Sequence, residues 1–233
     1  MRNVALSPQL HMFVFDVGQA YLWADDDGLT LIDTGMAGSA KVIEAAVHGL
    51  GYDRRDIRRI IVTHAHDDHI GSVADVAAWN SATVVAHRLE AAVIRGEQRS
   101  PAPVITEEER PFYERIVPGV PAAPVPQNVD QEVTDGDVLD FGGGAEVVGM
   151  PGHTPGSIAI YLPGPRVLFT GDSVASVNGR AMLGVFNVDR AAAIASFRDV
   201  VRRDVDVACF GHGDPLLGDA GTTLRDVADG PLE

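Results

Sequence analysis

Apolar residues recur along the chain in short β-branched or alternating runs, separated by acidic and glycine-rich breaks. This is the pattern of many strands with a few helices between them. In the first 35 residues, runs fall at His11–Phe15, Ala20–Ala24 and Leu29–Ile32, with Asp25–Gly28 as a hairpin turn. A helical period follows between Ser39 and Leu50, with Val42, Ile43, Ala46 and Leu50 on one face and Gly51 as the stop. Arg59–Val62 reads as a buried strand, Ile70–Trp79 as a short helix and Ala82–Ala86 as a further strand. Residues 88–130 differ in texture: helical pieces near Leu89–Arg95 and Glu107–Val117 are joined by Pro101, Pro103, Pro111, Pro118, Pro121, Pro124 and Pro126. Such a stretch predicts a lid or binding insertion in one domain spanning 1–233, rather than a linker. Strands then return at Val138–Phe141, Glu146–Gly149, Ile158–Leu162, Val167–Thr170 and Val205–Phe210, with a helix at Arg190–Val201.

The chemistry gathers where strands end. After Arg59–Val62 the chain reads Thr63 to Gly71 as THAHDDHIG, three histidines and two aspartates within six residues, which a solvated turn does not need. His64 and His66 are two apart, so in an extended segment both imidazoles reach one ion. Asp68 and His69 follow once the chain has begun to turn, and can face a second ion. Imidazole and carboxylate suit zinc, with iron or manganese as alternatives because oxygen ligands are mixed in. Asp33, beside Thr34 and Gly35 at another strand end, has two readings: it orients a ligand histidine, or it caps the helix that starts near Ser39. His87 closes a strand and reads as structural, and His48 as a surface residue of its helix. Further on, Pro151–Ser157 (PGHTPGS) holds His153 in a stiff loop. Gly171-Asp172-Ser173 and Gly211-His212-Gly213-Asp214 each follow a strand. The halves rhyme, LTLIDTG with VLFTGDS and IIVTHAH with VACFGHG, which predicts two similar layers packed face to face with helices outside.

Bulk properties narrow the field. A formal charge of −15 argues against nucleic acid and against an anionic membrane surface. No run approaches the ~18 apolar residues of a membrane span, and the N-terminus lacks the pattern of a signal peptide, so the expectation is a cytoplasmic protein. Cys209 is the single cysteine; it sits in an apolar run and reads as buried and inert.

HAHDDH, PGHTPGS, GDS and GHGD, in this order and over almost the whole chain, resemble the metallo-β-lactamase superfamily. The resemblance implies an α/β fold, an αββα sandwich of two facing mixed sheets with outer helices. It also implies two divalent metal ions, zinc first. His64, His66 and His153 would bind one, Asp68, His69 and His212 the other, and Asp172 would bridge. A two-metal site lowers the pKa of a bound water from about 15.7 toward 7, so a metal-bridging hydroxide is the expected nucleophile. Asp68 would hold and accept its proton.

True zinc β-lactamases mostly carry cysteine where this chain has Asp172, which resembles glyoxalase II, lactonases and related hydrolases instead. Glyoxalase II adds a helical C-terminal domain that grips glutathione, and only about 20 residues follow His212. Quorum-signal lactonases typically place a tyrosine after the bridging aspartate, where this chain has Ser173-Val174-Ala175. The expectation is a dinuclear hydrolase of a small ester, thioester or lactone. The alternatives are a mononuclear iron oxygenase resembling persulfide dioxygenases, or a phosphodiester hydrolase. The insertion and Val174–Val188 would decide the substrate, with Leu183 and Phe186 lining a pocket. Phe112 and Tyr113 would either face substrate or anchor the insertion. Oligomeric state is open.

Overall fold

The computed structural model describes residues 1–116 and 124–232. The chain divides into two compact units, Met1–Arg99 with Ala122–Val133, and Ser100–Pro121 with Thr134–Glu233.

The first unit is built on a sheet in chain order: β1 (Arg2–Ala5), β2 (Leu10–Val14), β3 (Gln19–Asp25), β4 (Gly28–Ile32), β5 (Ile57–Val62), β6 (Thr83–His87) and β7 (Gln131–Val133). The first four strands pair antiparallel, and their connections are short; Asp26 and Asp27 alone join β3 to β4. From β4 to β7 the pairing is parallel, which requires longer crossovers. Those crossovers are helical: α1 (Ala40–Gly49), then α2 (Asp67–Ile70) with α3 (Val73–Ala77), then α4 (Arg88–Ile94). Because parallel neighbours end on the same edge, β4, β5 and β6 deliver the residues that follow them, Asp33, the histidine motif and α4, to one rim.

Two details of helix prediction are corrected. On α1 the buried stripe is Ala40, Ile43, Ala46 and Val47, while Val42 is exposed, so the core face is turned from the expected one. The helix expected over Ile70–Trp79 is instead two short helices separated at Gly71–Ser72. The break follows from packing: Ser72 N donates to Thr34 Oγ1, its hydroxyl donates to the Met36 carbonyl, and Gly71 lies against the backbone of Met36 and Ala37.

In the second unit come α5 (Arg110–Ile116), β8 (Val138–Leu139), β9 (Ala145–Gly149), β10 (Ile158–Leu162) and β11 (Val167–Phe169). They are followed by β12 (Val174–Val177), β13 (Arg180–Leu183), α6 (Arg190–Val200), β14 (Val207–Cys209), β15 (Leu216–Leu217) and α7 (Ala220–Ala228). Its main sheet has the order β15-β14-β11-β10-β9-β8, and β11 with β14 is its parallel pair. α6 makes the intervening crossover and packs Ala193, Phe197 and Val200 into the core with Leu224 and Ala228 of α7. Leu183 belongs to this core. Cys209 is fully buried, as its apolar run predicts.

Of the predicted insertion, residues 117–123, with Val117, Pro118 and Pro121, lie outside the described residues. Phe112 and Tyr113 act as anchors. Phe112 stacks on Phe186 with centroids 5.5 Å apart, and Tyr113 meets the same ring edge-on at 5.3 Å. The buried Glu109 carboxylate ties the same two segments, accepting from Phe186 N at 3.0 Å and from Thr106 N at 3.0 Å.

Candidate metal centre

The THAHDDHIG segment is held at the end of β5 by hydrogen bonds to the end of β4. Asp33 takes a left-handed backbone conformation, φ 59°, which a short polar side chain tolerates better than most. That turn aims its carboxylate back at the motif. Oδ1 accepts from Thr63 N at 2.8 Å, and Oδ2 accepts from Thr63 Oγ1 at 2.7 Å and lies 2.8 Å from His69 Nδ1. The carboxylate has no proton to give, so His69 Nδ1 carries the hydrogen and its Nε2 keeps a lone pair. The same logic reaches His64. The hydroxyl proton of Thr63 is committed to Asp33, so Thr63 Oγ1 accepts from His64 Nδ1, 3.1 Å away, and His64 Nε2 is the bare nitrogen. One buried carboxylate thus sets the tautomers of two histidines, the kind of outer support that metal-ligating imidazoles have. Of the two readings of Asp33, orientation of a histidine is the one the geometry supports; Ser39 precedes α1 with no side-chain cap bond.

His64 Nε2 faces His66 Nδ1 at 3.1 Å, and the rings are nearly perpendicular. His69, fully buried, presents Nε2 3.8 Å from Asp68 Oδ2. Burial pushes the carboxyl pKa of Asp67 up, against a lowering by His66 and with a further raising by Asp68.

In the second unit the three predicted residues also converge. Because β11 and β14 are parallel neighbours, the turns after them lie side by side, locked by Gly211 N donating to the Gly171 carbonyl at 2.9 Å. This brings His212 Nε2 to 3.2 Å from Asp172 Oδ2. His153 Nε2 lies 3.8 Å from the same oxygen. Its loop is rigid for a visible reason. Thr154 N donates to Ser157 Oγ at 3.0 Å, Val188 N donates to the His153 carbonyl at 3.3 Å, and Gly152, φ 139°, lies against the backbone of Ala193 on α6.

The donor set fits divalent metal. Two ligand atoms each about 2.1 Å from one tetrahedral ion stand roughly 3.4 Å apart. The four imidazole and carboxylate separations here, 3.1, 3.2, 3.8 and 3.8 Å, bracket that value, and every one joins residues assigned to a common ion. His87 takes no part in these pairs; it precedes α4 and accepts from Leu89 N.

Three supporting residues lacked any chemical signal in the sequence. Thr63 stood inside the motif without a role, Ser72 looked like a helical position, and Glu90 sits 25 residues beyond the backbone it touches. Because Asp33 serves three buried donors, Asp33→Ala is expected to cost about 3 kcal/mol, the scale of leaving buried polar groups unsatisfied. Asp33→Asn, which tolerates the same φ and still accepts from Thr63 N, should fall between. Thermal melts of the three proteins check this ordering, and equal melting of Asp33→Ala and the parent would contradict it.

Comparison with known proteins agrees with this arrangement. A family model described as the Metallo-beta-lactamase superfamily matches residues 14–212. A Bacillus subtilis protein named "Probable metallo-hydrolase YflN" is 26% identical over 227 residues, covering 90% of this chain and 85% of its own. The hydroxyacylglutathione hydrolase of Rhodobacter capsulatus is 31% identical over 67% of this chain, which spans about half (48%) of that enzyme. An N-acyl homoserine lactonase from a Bacillus species is 24% identical over 82% of this chain and 79% of its own. Among solved structures, BJP-1, a subclass B3 metallo-β-lactamase of Bradyrhizobium japonicum, shares the fold. Its TM-score is 0.74 at 22% identity, covering 98% of this chain and 89% of that one. With a family model running from β2 to His212 and an α/β fold of two mixed sheets, the chain belongs to the metallo-β-lactamase superfamily.

Proposed function

We propose that the protein is a dinuclear metal-dependent hydrolase acting on a small ester, thioester or lactone. His64, His66 and His153 would hold one divalent ion, Asp68, His69 and His212 the other, and Asp172 would be shared between them. The observation that carries this reading is the paired orientation of donors: His69 Nδ1 is fixed on Asp33 so that Nε2 turns toward Asp68, and Asp172 Oδ2 turns toward both His153 and His212. When bound, two divalent ions supply a hydroxide nucleophile at neutral pH and stabilise the charge that develops on the substrate oxygen. Asp68 accepts the nucleophile's proton. Asp33 keeps His69 in the tautomer that ligates. The relatives whose names specify a hydrolase of hydroxyacylglutathione and a lactonase support an ester-type substrate. The formal charge of −15 disfavours the polyanionic alternatives.

Metal content per chain, measured on protein purified without added metal and beside a panel of thioester, lactone and phosphodiester substrates, tests the reading. Two equivalents in total are expected, most simply zinc, with ester turnover abolished by chelation and restored by zinc. One equivalent of iron with oxygen uptake would overturn it in favour of an oxygenase.

A further inference from the structure

We infer that Glu90 is a positioning residue for the His64–His66 pair, and that its charge sets the affinity of the metal site the pair contributes to. Glu90 lies in the first turn of α4, is 2% exposed, and directs Oε2 to the backbone N–H of Ala65 at 2.8 Å. Ala65 separates the two histidines. Its amide is buried and follows the last residue of β5 by three positions, beyond the reach of the sheet ladder, so a side chain must satisfy it. Fixing this one peptide fixes the direction from which both imidazoles leave the backbone, and with it the 3.1 Å approach of His64 Nε2 to His66 Nδ1.

The residue type matters as much as the contact. A carboxylate is explained if something positive is held nearby. His64, His66 and His153 bring three imidazoles, so Asp172 would be the single carboxylate on their ion, whereas Asp68 and Asp172 would both serve the other. Glu90 adds a second negative charge on that side through the peptide between the two ligands, and its hydrogen bond to Ala65 is charge-assisted. The parallel order of β5 and β6 is what places α4 at this rim.

This inference rests on reading His64 and His66 as ligands. The experiment compares the parent with Glu90→Gln and Glu90→Ala in zinc titrations against a chromophoric chelator, together with hydrogen exchange at the Ala65 amide in metal-free protein. Expected for Glu90→Ala is a roughly 10–100-fold weaker zinc affinity, the usual cost of losing an outer support of a ligand, and faster exchange at Ala65. Glu90→Gln should keep the slow exchange, since its amide oxygen still accepts, yet lose zinc affinity through the missing charge. Unchanged affinity in both variants would overturn the electrostatic role. Unchanged Ala65 exchange in Glu90→Ala would overturn the positioning role, whether or not the parent binds metal. A parent that binds no zinc would instead remove the dinuclear reading itself. Should Glu90→Ala fail to fold, Glu90→Gln alone still decides the charge, and Glu90→Asp, too short to reach Ala65, decides the contact.

Discussion

Asp68→Asn is expected to lower turnover about 10²–10⁴-fold, the range that a positioned acid or base contributes, with metal content close to that of the parent. The two side chains are isosteric. Asparagine keeps an oxygen where Asp68 Oδ2 now stands, 3.8 Å from His69 Nε2, so the ligand geometry survives. What it loses is the capacity to take up a proton, because an amide nitrogen is no base at neutral pH. The side chain of Asp68 is 18% exposed while His69 beside it is fully buried, so of the pair the carboxylate is the group that solvent reaches. His212→Ala is the matching control: it should lose metal and turnover together. If Asp68→Asn turned over normally with its metal retained, the assignment of proton transfer to Asp68 would be withdrawn.

Gly71→Ala should be among the most destabilising single changes outside the ligand set. A β-carbon there would overlap backbone atoms of Met36 and Ala37, which no side-chain rotation relieves. The loop it would displace is tied to the motif at several points. Thr34 N and Thr34 Oγ1 both donate to the His69 carbonyl, and Ser39 N donates to Ser72 Oγ. Moving one segment therefore strains the other, and about 3 kcal/mol is expected, equivalent to roughly 6–12 °C in Tm for a chain of this size. Gly49→Ala, at the end of α1 with no atom within 4 Å of the added carbon and no positive φ, serves as the neutral reference. Calorimetric melts that superimpose for Gly71→Ala and Gly49→Ala would show that the contact at Gly71 is not tight.

The candidate ligands stand out in the sequence because metal chemistry restricts residue type and spacing at once. Strand ends were legible because apolar runs such as Ile60–Val62 and Val167–Phe169 stop abruptly at polar residues, Thr63 and Thr170. What escaped the reading was support supplied from a distance. Glu90 looks like one more acidic position on a short helix, and only the parallel register of β5 and β6 shows what it touches. Asp33 kept two readings until its φ of 59° aimed the carboxylate at His69 rather than at α1. The β12–β13 hairpin had its signal in plain view: Asn178 and Gly179, at φ 52° and 74°, are the favoured pair for a two-residue turn. Weighing Val174–Val188 only as a determinant of substrate leaves that hairpin unassigned. β1 and β15 are edge strands, too short and too exposed for alternation to register.

The order in which the first sheet is completed bears on how the protein is made. β6 takes β7 as its outer neighbour, and the 43 residues of 88–130 lie between the two strands in the chain. At a synthesis rate of about 5–20 residues per second, a nascent chain carries β6 for roughly two to nine seconds before its partner strand has been made. During that interval Thr83–His87 presents an uncovered apolar edge of the kind that recruits other chains. Chaperone demand and losses to aggregation during expression should therefore concentrate in this window, and slowing translation within the proline-rich segment would lengthen it.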